Sequence, residues 1–229
     1  MHRVNHNPLF QYAELKRRDL PEGRRYETPD GGTVASVTTI LDKTKPEEKR
    51  QALMEWRKRV GEKKATEITT EAAGRGTSMH KQLENFLEHG DLKSGGNMVH
   101  QHAAKMATTI ITEYFPDMQE WWGSEAKLYY PGLYAGTTDL TGIYRGKPSI
   151  IDFKQTNKPK KTEWIDDYFL QGAAYASAHN KLFGTDIEQI VILMCSQNCE
   201  PQRWIVNGAE FREWTDRWWD RVEQFYRTN

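Results

Sequence analysis

The sequence predicts an α/β fold in which a central mixed β-sheet is flanked by helices. Two observations predict it. Periodic segments follow the order helices, three strands, a helix, two strands, a helix. The stretch from Leu133 to Lys154 reads as a β-hairpin, with Tyr134 to Ile143 leading into an Arg145-Gly146-Lys147-Pro148 turn and Ser149 to Phe153 returning.

The elements follow in order. Residues 1–30 are polar, rich in Arg and broken by Pro8, Pro21 and Pro29, which suggests an irregular arm. Asp30-Gly31-Gly32 is a hairpin-type turn, and the β-branched run Thr33 to Leu41 reads as a short strand. Residues 46–73 carry helical periodicity with dense charge, and Gly61 is a possible break. Gly74-Arg75-Gly76-Thr77 reads as a breaker and N-cap ahead of a helix with the stripe Met79, Leu83, Phe86, Leu87. Asp91 to Gly96 is a loop, and Val99 to Phe115 a helix closed by Pro116.

The strands Glu125 to Tyr130, Tyr134 to Tyr144 and Ser149 to Phe153 come next. A basic loop, Asn157 to Lys161, leads to a helix from Trp164 to Phe183 whose alanines permit close packing. Ile187 to Met194 and Arg203 to Val206 form a further strand pair. Phe211, Trp214, Trp218, Val222 and Phe225 then form the apolar stripe of a terminal helix. No repeat or linker interrupts residues 31–229, which are expected to form one domain, with a helical elaboration at about 42–115 and a core at about 120–229.

Composition excludes some functions. Lys+Arg and Asp+Glu balance at 32 each, so no global basic field announces nucleic acid, although residues 1–80 carry a modest basic excess. Cys195 and Cys199 fit neither a disulfide framework nor a four-thiolate zinc or iron–sulfur site. No apolar run approaches the ~20 residues of a membrane span. The N-terminal stretch carries Glu14, Asp19 and Glu22, unlike an acid-poor organellar leader, and the expected setting is the cytoplasm of a bacterium or a phage-infected cell.

The chemistry concentrates on the hairpin. Side chains alternate along a strand, so Asp152 and Lys154 share a face while Ile151 and Phe153 point into a core. Asp139, on the partner strand, can join them. A charged strand face is the commoner origin of a lone Asp-x-Lys. Yet two carboxylates beside an ammonium also suit a hard divalent cation. His80 stands on a helix where an imidazole could complete such a ligand set, and Glu125 is a possible third acid. Gln171 and Tyr175, four apart on a helix, face the same way.

Four motifs now stand in order: Gly76-Thr77-x-x-His80-x-x-x-Glu84, Gly136-x-x-Asp139, Asp152-x-Lys154 and Gln171-x-x-x-Tyr175. Together they resemble the PD-(D/E)XK nuclease superfamily, in its RecB-type branch. The upstream segment Ser36 to Leu41, with Trp56-Arg57 and Gly61, looks more particularly like the mitochondrial genome maintenance exonucleases and their phage relatives.

The resemblance implies a restriction-endonuclease-like core and a DNA exonuclease working from free, single-stranded ends in DNA processing, recombination or repair. It implies Mg2+ or Mn2+ held by His80, Asp139, Asp152 and the Phe153 carbonyl, with Glu125 as a further candidate ligand. Lys154 would act on the attacking water or the developing charge, with Gln171 and Tyr175 supporting the site. Ser36, Thr38, Arg75, Gln155, Lys158, Lys160 and Lys161 are the expected DNA contacts, Gln155 standing where the family often has Thr. The alternatives are a structure-specific endonuclease and a non-catalytic DNA-end-binding protein.

Overall fold

The computed structural model describes residues 3–93 and 96–228. Ser94 and Gly95, inside the expected 91–96 loop, lie outside the described residues. A mixed β-sheet runs through the molecule with helices on both faces. Among the described residues nine strands form it: β1 (Asn5–His6), β2 (Lys16–Leu20), β3 (Gly23–Glu27), β4 (Thr33–Ser36), β5 (Met118–Tyr130), β6 (Tyr134–Tyr144), β7 (Lys147–Thr156), β8 (Gln189–Ser196) and β9 (Pro201–Asn207). The helices are α1 (Val37–Lys43), α2 (Glu47–Val60), α3 (Glu62–His89), α4 (Met98–Tyr114), α5 (Asp166–Phe183) and α6 (Gly208–Thr228).

The path β2-β3-β4-β6-β7-β8-β9 is extended by β5 on β6 and by β1 on β5. Pairs β1/β5, β4/β6 and β7/β8 are parallel, and the others antiparallel. One face carries a core of α5 and α6 side chains against Ile150, Ile190 and Ile192. The other carries α3 and α4 side chains against Ile151, Phe153 and Leu193. Ile150 and Ile151 thus point to opposite faces, as strand alternation requires.

Four expectations change. The 1–30 arm is irregular only in part: residues 7–15 form no strand or helix, whereas β2 and β3 form a hairpin that β4 joins to the sheet. The strand ladder and the burial of Tyr26 against Leu15, Val34 and Ala135 hold that hairpin, with exposed charge pairs such as Arg18–Glu27 and Arg24–Asp19 adding little, and β2 is exposed throughout, so no apolar alternation marked it. The Thr33–Leu41 strand stops at Ser36, whose Oγ accepts the Thr39 N–H at 3.0 Å and N-caps α1. Capping outweighs the β-branched composition of Val37 to Ile40.

Gly74 to Thr77 does not break a helix: α3 runs unbroken through it from Gly61, where φ is +85°. Burial of Arg75, Ser78 and Met79 holds that turn helical against its weak propensity. The strand expected from Glu125 starts at Met118, with two bulges before Ser124. Elsewhere the ends move by a few residues. A 3-10 turn at Thr162–Trp164, for instance, precedes α5. Among the described residues no helix is long and apolar enough to cross a membrane.

Candidate metal centre

The site lies at a fork in the sheet. Along β6, β5 pairs from Tyr134 to Tyr144 on one edge, interrupted by its two bulges. On the other edge β4 takes Tyr134 and Ala135, and β7 takes Leu140 to Tyr144. Gly136 to Asp139 therefore lie between β4 and β7, and the β6/β7 ladder ends at Leu140↔Ile151, one step before Asp139 would face Asp152. The parting strands give both carboxylates room.

Gly136 is required in the fork by a close approach: a Cβ there would stand 2.8 Å from the Tyr175 ring. Tyr175 is buried on α5, and its hydroxyl accepts a hydrogen bond from Gln171 Nε2 at 3.1 Å. The Gly-x-x-Asp and Gln-x-x-x-Tyr motifs thus form one packing unit beneath the acids.

Asp139 Oδ1 lies 3.2 Å from His80 Nδ1, and its Oδ2 accepts the Phe153 N–H at 2.7 Å. The parted ladder leaves that N–H without a β6 carbonyl. Asp152, 2% exposed, lies with its Oδ2 against the Lys154 ammonium. Lys154 Nζ also sits 4.9 Å from the centre of the Tyr168 ring. Glu125 has φ of +49°, and the flanking pairs Ser124↔Leu140 and Ala126↔Thr138 set it opposite Asp139. A non-glycine residue at positive φ costs about 1 kcal/mol or more and persists where its surroundings demand it.

Burial alone would lower the His80 pKa, but the Asp139 charge and hydrogen bond outweigh it and the net shift is upward. Burial would raise Asp139, and His80 and Lys154 bring it below the usual carboxylate value. Asp152 is raised by burial despite Lys154. Lys154 is raised, the two aspartates outweighing its burial. Glu125 is pushed up to about 7 by desolvation and then by Asp139. Three carboxylates here face one ammonium and one imidazole, so negative charge is in excess.

Ligand atoms of His80, Glu125 and Asp139 all lie within 4.8 Å of one another. Oxygen and imidazole donors bind a divalent cation at ~2.0–2.6 Å, so such a group could hold one. The set differs in weighting from the expected one. Glu125 joins His80 and Asp139, while Asp152 is turned to Lys154. The site opens into a cleft of about 640 Å³ lined by Gly76, His80, Glu125, Lys154, Gln155 and Tyr168 among others.

The expected DNA contacts divide. Ser36 is buried, and its hydroxyl is committed to the α1 cap and to Thr38 and Thr39. Thr38 is exposed and lines a separate cavity with Asp19, Gly23 and Arg24. Arg75 is buried and donates to Gln155 Oε1 at 3.0 Å and to Asn157 Oδ1, tying α3 to β7. Lys158 and Lys160 line a second cleft of about 630 Å³, and Lys161 lies beside Trp164. Sequence reasoning missed Tyr168. Its signal was present: it stands three and seven residues before Gln171 and Tyr175, on their helical face.

No family model matches the sequence. Three curated relatives carry the name mitochondrial genome maintenance exonuclease 1. The Xenopus tropicalis protein is 32% identical over 65% of this chain and 44% of its own length. The mouse protein is 30% identical over 65% of this chain and 45% of its own. The human protein is 26% identical over 94% of this chain and 66% of its own. A solved structure from Eubacterium rectale superposes with a TM-score of 0.49 at 15% identity, over 67% of this chain and 64% of that one. The chain spans about half the length of the first two curated relatives, and over that span it is similar to proteins whose name records an exonuclease.

Proposed function

We propose that this chain is a divalent-metal-dependent nuclease that hydrolyses DNA phosphodiester bonds from free single-stranded ends, on a PD-(D/E)XK, RecB-type core. The observation that carries the reading is the convergence of His80, Glu125 and Asp139 within 4.8 Å, with the Asp152–Lys154 pair alongside. The names of the curated relatives support the exonuclease part.

Mg2+ or Mn2+ bound there would make water a nucleophile near neutral pH and neutralise charge on the scissile phosphate. His80, Glu125 and Asp139 would hold the ion, with Asp152 beside them. The Asp139 carboxylate orients the His80 ring through Nδ1 and is itself fixed by the Phe153 N–H. Lys154 is held by Asp152 and Tyr168, with its ammonium at the cleft, where it offsets negative charge developing on phosphate. Tyr175 and Gln171 keep the fork rigid from below.

The test is cleavage of end-labelled linear and closed circular DNA, single- and double-stranded, with Mg2+, Mn2+ or EDTA. Linear single strands should shorten to small products, circles should persist and EDTA should stop the reaction. Efficient cutting of circles would make the protein an endonuclease. No cleavage of any substrate would overturn the reading.

A further inference from the structure

The site cleft does not end at the acids. Gln155, Tyr168 and Ala72 line it and also line the second cleft, so the two adjoin. The far part is walled by Trp56 and Arg59 of α2 on one side and by Lys158, Lys160 and Trp164 on the other. Trp164 is 57% exposed, unusual for an indole in a chain whose other tryptophans are half-buried or buried. Lys161 Nζ lies 5.4 Å from its ring centroid.

The segment bearing Trp164 is pinned. Gln202 clasps the Lys160 backbone twice, accepting its N–H at 2.7 Å and donating to its carbonyl at 2.8 Å. Trp204 Nε1 donates to Thr162 Oγ1 at 3.0 Å, and the Trp164 N–H closes a turn on the Lys161 carbonyl at 3.1 Å. Next to it, Ile165 is anchored in the core. The ring is therefore presented to solvent on a fixed backbone, so that little backbone ordering opposes binding.

We infer that Trp164 is a stacking platform for a nucleobase of a single strand whose phosphates run along Arg59, Lys158 and Lys160 toward the metal centre. An exposed aromatic face beside cations is the chemistry that holds single strands without reading sequence, because every base offers a π-face. A duplex keeps its bases stacked inside and exposes a face only at its terminal pair. The inference rests on the nuclease reading above and adds to it a base-binding subsite at Trp164.

The experiment measures binding of a fluorescent oligothymidylate to the wild-type chain, Trp164→Ala and Trp164→Phe in EDTA, which prevents cleavage, over a range of salt. Trp164→Ala should weaken binding roughly tenfold and Trp164→Phe far less. The slope of log affinity against log salt should be the same for all three, because a neutral ring displaces no counterions. Lys158→Ala should lower that slope by roughly 0.7. An abasic ladder of equal charge should bind wild type and Trp164→Ala alike.

Equal affinity of Trp164→Ala and wild type for the oligothymidylate overturns the inference, as does an equal loss on the abasic ladder. If wild type binds and cuts DNA while Trp164→Ala binds as tightly, the stacking subsite alone falls. If wild type neither binds nor cuts, the nuclease reading falls with it.

Discussion

His80 and His179 both stand on long helices packed against the same sheet, one helix on each face. Nδ1 of His80 meets the Asp139 carboxylate, Glu125 lies nearby, and the ring lines an open cleft. His179 is fully buried. Its Nδ1 lies 2.8 Å from Thr185 Oγ1, its Nε2 3.2 Å from Tyr12 Oη, and Phe10 and Phe183 each pack 4.8 Å away. Acids raise the first pKa, whereas desolvation lowers the second to about 4. A histidine whose partners are hydroxyls is satisfied as a neutral group. One placed among carboxylates in a cleft sits where negative charge remains to be neutralised.

The largest effect expected at the charged site comes from Asp152→Asn, which removes the partner of Lys154. Cleavage should fall by about 10³-fold, while oligonucleotide affinity and thermal midpoint stay near wild type. A variant that cuts as fast as wild type would show that the excess charge has no catalytic use. His80→Ala should lower both cleavage and Mn2+ affinity by about 10²-fold with little change in melting, as calorimetry and rates together would show. A normal Mn2+ isotherm for His80→Ala would return His80 to the same class as His179.

His179→Ala should act the other way. It removes ring packing and leaves Tyr12 and Thr185 without their shared partner, at a cost of about 3 kcal/mol in urea unfolding. Cleavage per folded molecule should not change. A loss of activity without a loss of stability would dissolve the contrast.

Acid should separate the two rings as well. The folded value of about 4 for His179 lies below its unfolded value of ~6.5, so the unfolded chain takes up the proton first. Stability from this group is therefore full above pH 6.5 and declines as pH falls toward 4, by about 3 kcal/mol. His80 has the opposite sign in the metal-free protein: its contribution is full below its unfolded value and is lost as pH rises through the raised folded one. Urea melts of wild type and His179→Ala at pH 7 and 4.5 would resolve the first slope, which the variant should lack.

The finest distinction concerns Glu125. Its pKa of about 7 means that a metal bound there would have to displace a proton from it as well as from His80. Mn2+ affinity should weaken from pH 8 to pH 6, and Glu125→Gln should flatten that dependence by roughly tenfold over the range. An unchanged slope in Glu125→Gln would leave His80 as the sole source of the competing proton.

Local pattern determines much of this arrangement. Period-2 alternation placed Asp152 and Lys154 on one face and Ile151 and Phe153 on the other, and the Arg145-Gly146 turn aligned Asp139 with them. Helical spacing joined Gln171 to Tyr175 and put Phe211, Trp214 and Trp218 on one stripe. Such features depend on neighbours a few residues apart, and a sequence displays those directly.

Tertiary structure alone decided the rest, because it depends on which distant segments meet. Glu125 reaches Asp139 only because β5 pairs in one register and turns to positive φ there, which no local propensity encodes. Arg75 and Gln155, both expected at DNA, face each other across α3 and β7 and bond to one another, 80 residues apart in the chain. α3 passes through Gly74 and Gly76 because burial of Arg75, Ser78 and Met79 outweighs their helix-breaking tendency. The N-terminal hairpin is held by its ladder, by β4 and by the burial of Tyr26 against Val34 and Ala135, while β2 itself is exposed and showed no apolar alternation. The sequence by itself determined the chemistry that each strand and helix carries. The fork in the sheet, which exists only once β4, β6 and β7 are assembled, decided which of those groups meet.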